Sequence, residues 1–540
     1  MSIPLFSNLT ILELDSLPNL ESIWKLEPSH QEIVSLPRLK VVRISNCSKL
    51  KIIFTTCLAQ SMLHLQKLTI SDCNGLEQVI GFVQEEEIIE NDCPLYCWPK
   101  LEILRISSCE SLKYVYVNTL TSGCESVKSI FIYHCPKLIQ VFNSEQNKYG
   151  QDIRLPELGS QESFVNLTHL KLTALLSFKY LFSELTARTL VHLELLYIWD
   201  CSVLEHLIEE VENVDETYVS NMKNHYPLFC PELRDVNIKS CKNLKYLCSS
   251  TLAQRLPKLK FITIEDCPRL IQVFNMETNK DEFELQKLTL SDVGNSHQLC
   301  NIDVPILNED CIVVGNHEEV FQVQGGSSFS SIEELSLANL LEVRIIWNDF
   351  AQVVTLDNLT TLELSDCKKL RHIFSPATAR NLSHLMDLCI NGCDELERLI
   401  LAKDQVSSSS SNADIGLQPL SFPNLTKIIV TNCGNLKSLF PLGSVPVLPE
   451  LESLELKRNS KLEQVFKLED EVKVAAEEET KFDKLERLTL EELPSLIHFY
   501  PKGCHFVLPA LIGLEVKDCP KLTTSFFVDS QKFVHCITNV

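Results

Sequence analysis

The chain has 540 residues, 45% of them hydrophobic, and 49 Lys and Arg stand against 72 Asp and Glu for a formal net charge of −23. That balance excludes a nucleic-acid binder, which needs clustered basic side chains to neutralise phosphates, and it excludes docking on anionic membranes. With 15 glycines and 23 prolines the chain is neither collagenous nor low-complexity, and no run of about 18 apolar residues offers a transmembrane helix.

The N-terminus, M-S-I-P-L-F-S-N-L-T-I-L-E-L, lacks the basic start and unbroken apolar run of a signal peptide. It already carries a pattern, in Leu9, Leu12, Leu14 and Leu17, that returns along the whole sequence as L-x-x-[LIV]-x-[LIV]-x-x-C-x-x-L-x-x-[LIV]-[FIYW]. Leu39, Val42, Ile44, Cys47, Leu50, Ile53 and Phe54 fill it completely, as do Leu259, Ile262, Ile264, Cys267, Leu270, Val273 and Phe274. Seventeen units begin at Leu9, Leu39, Leu65, Leu101, Val127, Leu167, Leu193, Leu233, Leu259, Leu285, Ile332, Leu359, Leu385, Leu425, Leu451, Leu485 and Leu511. The shortest step is 26 residues, within the period of a leucine-rich repeat. The fold class expected is an α/β leucine-rich-repeat solenoid, a horseshoe with a parallel sheet on its concave side and short helices, 3-10 turns and loops on its convex side. No polar capping unit precedes Leu9, so the first unit is expected either to continue a longer protein or to be covered by another chain.

In chain order, residues 1–292 hold repeats one to ten. Within them Ser183–Leu193 and Ser249–Leu259 read as short capped helices, and Gln84–Asp92 and Glu209–Glu216 as acidic solvated loops. Residues 293–331, with Gly325-Gly326-Ser327-Ser328, break the rhythm as an irregular insertion or hinge. Residues 332–522 hold repeats eleven to seventeen, with a helical reading for Ser375–Leu385 and loops at Ser407–Asp414 and Lys467–Lys481, and 523–540 form a C-terminal tail.

Eleven of the 22 cysteines sit at the C position of the skeleton. A small buried thiol with a weak donor suits an inward slot at the end of a strand. Val293, Leu175 and Leu493 fill the same slot and cannot bind metal, so packing is the expected role and neither a metal nor a disulfide ladder is. Free thiols in this number fit a reducing compartment. Six N-x-[ST] sequons exist, but four are N-L-T leading into a repeat's first Leu, so the repeat itself generates the match. No phosphate loop, dinucleotide fingerprint, zinc motif or nucleophile elbow is present. Neither catalysis nor a cofactor is expected.

Side chains alternate along a strand, so residues between the Leu slots line the concave face. Most units present small polar or charged groups there. Units five to seven differ, with Phe131, Tyr133 and His134, then His169 and Lys171, then Leu195, Tyr197 and Trp199, and Phe261 follows two units on. With strands about 4.8 Å apart these rings fall into one patch, the expected protein-binding site. Cross-strand aromatic packing is the competing explanation.

The skeleton, stretches such as T-L-A-Q-R-L-P-K-L and the acidic insertions resemble the repeat domain of plant nucleotide-binding leucine-rich-repeat disease resistance proteins of the coiled-coil class, from Leu9 to Leu522. The resemblance implies a non-catalytic recognition domain of innate immunity in the cytoplasm, with the nucleus the other compartment open to it. Its implied partner is a pathogen effector, a guarded host protein or a nucleotide-binding immune module. The coiled coil and nucleotide-binding motifs are absent from this chain, so ATP or ADP binding does not carry over. A stand-alone scaffold or ubiquitin-ligase substrate adaptor is the alternative.

Overall fold

The structure is a computed structural model of the chain. It describes residues 6–24, 35–81, 98–115, 124–139, 164–182, 187, 189–208, 230–249, 256–271, 273–275, 285–293, 319–321, 331–341, 343–347, 358–374, 382–400, 422–440, 448–466, 480–499 and 505–538. Two compact units divide the chain, the first built from residues 1–259 with 266–268 and the second from 260–265 with 269–540.

Seventeen five-residue strands arise, one per repeat, each starting two residues after the first Leu slot. Eight lie in the first unit, from Ile11–Asp15 to Asp235–Lys239, and nine in the second, from Phe261–Glu265 to Gly513–Lys517. Within each unit successive strands pair in parallel and in register, so Val42 lies beside Leu68 and Ile44 beside Ile70. Each strand places its second and fourth residues inward, where β-branched and Leu side chains fill a shared core. Leu39, Val42, Ile44, Cys47, Leu50, Ile53 and Phe54 are all at most 1% exposed. The fold is therefore the leucine-rich-repeat solenoid that the spacing implies. The end repeats are less well covered, with Ile11, Leu514 and Val516 exposed.

The chain leaves every strand through a left-handed residue. All seventeen positions just before the C slot have positive φ, from Ser16 at 57° to Asp518 at 51°. Asn, Asp and Gly tolerate this conformation best, and they fill Asn46, Asp72, Asp200, Asp266, Asp292, Asn339, Asp366, Gly392, Asn432 and Asp518. The turn aims the amide along the sheet, so Asn46 N–H donates to the Ser71 carbonyl at 3.1 Å and His134 N–H to that of Thr173 at 2.9 Å.

The next residue turns inward, and the cysteine ladder is a hydrogen-bonded one. The Cys73 sulfur accepts from the Cys47 amide, and the Cys109 sulfur from the Cys73 amide. Each thiol donates two residues back, as Cys47 does to the Ser45 carbonyl at 3.3 Å. Burial pushes the Cys73 thiol up to about 11 and that of Cys230, which lies off the ladder, up to about 12. One unit uses Asn459 instead, fully buried, whose Oδ1 accepts from Cys433 N–H and whose Nδ2 donates to the Val430 carbonyl, both at 2.9 Å.

On the convex side the described residues carry short helical pieces beside short strands, and Ala187 and Thr189 are helical within the stretch 183–193. Among the described residues the one α-helix of a turn or more is Thr56–Ser61, capped by Thr55 Oγ1 accepting from Leu58 N–H. Elsewhere the described convex side makes short parallel pairs such as Ile52–Thr55 with Gln78–Gly81 and Tyr180–Phe182 with His206–Ile208. The [LIV]-[FIYW] end of each skeleton favours extended backbone over helix. In the second unit this layer stacks as rings, with Phe440 and Phe466 5.7 Å apart and Phe499 and Phe506 5.4 Å apart. The acidic and serine-rich insertions, most of 293–331, and most of the helical readings at 183–193, 249–259 and 375–385 lie outside the described residues. The stretch read as a tail holds a hairpin of Thr524–Val528 and Val534–Thr538, the latter also antiparallel to His505–Leu508.

Candidate functional site

The register places the candidate residues in three rows on the concave face of the first unit. The middle row runs Arg43, Thr69, Arg105, Phe131, Lys171 and Tyr197 on six successive strands. Beside it run Ser107, Tyr133, Thr173 and Trp199 on one flank and Ile103, Ser129, His169 and Leu195 on the other.

Cations and rings interleave along the middle row. The Arg105 guanidinium lies 5.0 Å from the Phe131 centroid. Lys171 Nζ lies 4.2 Å from the Tyr197 centroid and 5.9 Å from that of Tyr133. Such contacts are worth about 0.5–1 kcal/mol when exposed and about 2 when desolvated. They hold both cations in place without neutralising them. Burial pushes the Tyr133 phenol above its ordinary range, against the opposing pull of Arg105. Trp199 closes the row end and is 42% exposed. Thr173 beneath it is only 6% exposed, and its hydroxyl has no hydrogen-bond partner among the described residues.

His169 is exposed, with Nδ1 2.8 Å from Thr168 Oγ1. His134 sits at the left-handed turn (φ 52°) just past its strand, so its place is fixed by the backbone. Phe261, 38% exposed, begins the first strand of the second unit. Arg105 and Thr173 escape a reading that looks for rings unit by unit, because their role appears only when neighbouring strands are set in register.

The electrostatics of the two units differ. On the six strands from Val41–Ser45 to Leu195–Trp199, the outward positions hold Arg43, Lys67, Arg105 and Lys171 and no Asp or Glu. Arg43 alone of these has an ion pair among the described residues, with Glu13 at 3.4 Å. On the next strand burial raises the Asp235 carboxyl above its ordinary range. The second unit's face carries ion pairs of its own, Lys287 with Glu334 at 2.5 Å, Lys457 with Glu455 at 2.8 Å and Glu491 at 3.6 Å, and Lys517 with Glu515. Among the described residues no group of three or more His, Cys, Asp or Glu is placed to hold a metal ion, and no helix is long and apolar enough to cross a membrane.

A parallel sheet with one strand per repeat and a polar and aromatic concave face defines a leucine-rich-repeat solenoid. The family profile of plant disease resistance protein RPS2-like leucine-rich repeats matches residues 1–74, 151–294, 308–394 and 395–534. The chain belongs to that family, which ties it to recognition in plant immunity. A probable disease resistance protein of Arabidopsis thaliana is 31% identical over 140 residues, a match spanning 23% of this chain and 14% of that protein's length. Among solved structures, an internalin of Listeria monocytogenes covers 71% of this chain and 87% of its own at 15% identity and a TM-score of 0.28. The circular leucine-rich-repeat protein CroV588 covers 92% and 75% at 13% identity and a TM-score of 0.26.

Proposed function

We propose that this chain is a non-catalytic recognition domain of plant innate immunity that binds protein through the concave face of its first unit. Its partner is a pathogen effector, a guarded host protein or a nucleotide-binding immune module that it holds in check. The observation that carries this reading is the row Arg105, Phe131, Lys171 and Tyr197 with Trp199 beside it. Rings and arginines at a partly exposed surface are the residue types that dominate protein interfaces. Cross-strand packing accounts for part of the arrangement, yet it leaves Trp199 exposed and both cations without a carboxylate among the described residues.

The test is the double substitution Tyr197→Ser and Trp199→Ser in the full chain. Partners recovered from pathogen-challenged plant tissue are compared with those of the parent chain, and thermal melting is measured beside them. The reading expects the partner to be lost with melting shifted by no more than about 2 °C. An unchanged partner set, or loss that tracks unfolding, removes it.

A further inference from the structure

We propose that the first unit's concave face takes an extended, acidic segment of its protein partner, with carboxylates three residues apart. This rests on the concave-face reading above and specifies what that face selects. Arg43, Arg105 and Lys171 occupy the same strand position on the second, fourth and sixth strands. At about 4.8 Å per strand, the cations recur roughly every 10 Å along a line crossing the sheet. A chain laid along that line in a polyproline-type conformation advances about 3.1 Å per residue and returns the same face every third residue, or about every 9 Å. Acidic side chains at i, i+3 and i+6 therefore meet one cation each. Between them lie Thr69 and Phe131, with Tyr133 and Trp199 on the flank, and these rings suit proline or apolar side chains.

The charge pattern selects carboxylates over other anions. A phosphate group is best met by donors converging on one point, whereas these cations stand singly. A nucleic acid meets a chain of net charge −23, which repels an extended polyanion at long range. Arg105 and Lys171 are held by ring contacts and have no ion pair among the described residues. A carboxylate arriving there displaces no internal partner. Arg43 is the weaker contact, because Glu13 competes for it.

The experiment titrates the full chain with two fluorescein-labelled nine-residue peptides of one composition. In the first, Glu falls at every third position with Pro and Tyr between. In the second, the same residues place all Glu at one end. The spaced peptide should bind about tenfold tighter and weaken as salt rises. Lys171→Glu and Arg105→Glu should each cost about tenfold or more, whereas Lys457→Glu, on the second unit, should leave binding unchanged. Lys171→Gln and Arg105→Gln serve where a reversal perturbs folding by circular dichroism. Equal binding of the two peptides, binding that survives both reversals, or full competition by single-stranded oligouridylate overturns the inference. A third peptide with Gln in place of Glu separates the two readings. If it binds as well as the acidic peptide and is lost in the Tyr197→Ser, Trp199→Ser variant, the concave-face reading stands and the acidic one falls. If no peptide depends on those rings, both fall.

Discussion

Asn459 offers the sharpest test of how the repeats are held together. Its side chain is the one asparagine in a slot filled by cysteine in eleven units, and it bonds Cys433 N–H and the Val430 carbonyl at 2.9 Å each. Asn459→Leu keeps the branched shape at a larger volume, and Leu175 and Leu493 show that leucine fits the slot, so the main loss is the hydrogen bonds. Two buried backbone groups are orphaned at about 1–3 kcal/mol each, partly offset by burying an apolar side chain. A net loss of about 2–4 kcal/mol follows. In a solenoid this loss falls on the affected units and their neighbours, so a global melting curve reads it poorly. Native-state hydrogen exchange reads it directly. The amides around Cys433 should exchange about thirtyfold to several hundredfold faster, at 1.4 kcal/mol per decade, while those around Cys73 stay unchanged. Asn459→Cys restores a group that both accepts and donates, and should cost about 1 kcal/mol. Equal acceleration in the Leu and Cys variants, or acceleration spread over both units, would refute the account.

Lys171→Met removes two cation–ring contacts and should lower stability by no more than about 2 kcal/mol, read by urea denaturation; a larger loss would make Lys171 structural. The Asp266 carboxyl is held below its ordinary range by Lys242, whose Nζ is 2.6 Å away, and by Ser240. A depressed carboxylate stabilises the fold above its unfolded pKa of about 3.9 and loses that contribution as pH falls through the lower folded value. Acid melts between about pH 5 and 2 should therefore be shallower in Lys242→Met, by about 0.2–1 kcal/mol for so exposed a pair. Burial orders the thiols, so Cys389, half-buried on the concave face, should react with a disulfide reagent at pH 8 well before the buried Cys230, pushed up to about 12. Site-resolved mass spectrometry checks the order. Asp529 accepts from Gln531 and Phe533 amides at 2.9 and 2.8 Å and lies 2.9 Å from His535 Nε2. Asp529→Ala should open the hairpin and speed labelling of the buried Cys536 by about tenfold.

The strands were legible because their information is local and periodic. Leu39, Val42 and Ile44 state the alternation within six residues, and every later unit repeats it. The left-handed turn was equally present, as Asn46, Asp72, Asp266 and Asp366 before the cysteines, but a skeleton drawn from apolar positions passes over it. The hairpin had a signal too, in two β-rich runs around D-S-Q-K. The cation and ring rows were only half legible. Phe131 and Tyr197 stand out within their own units, yet Arg105 gains its meaning from a neighbour 26 residues on, and Lys171 from one 26 residues on and another 38 back. Insertions of variable length between repeats hide that adjacency until the register is known.

The two concave faces differ in their variable slots and not in the skeleton. Each unit spends its inward positions on the same core, so the core cannot distinguish one partner from another. Outward, Lys287, Lys457 and Lys517 of the second unit pair with carboxylates of the same unit. Exposed pairs of this kind add little stability, but they cancel the field that a partner would feel. On the six strands from Val41–Ser45 to Leu195–Trp199 the outward carboxylates are missing and aromatic rings take their place beside the cations. The charge there is positioned without being satisfied, on a protein that is otherwise strongly acidic. On the proposed reading a partner's carboxylate completes such a row, whereas at Lys287, Lys457 and Lys517 it would have to displace an internal one.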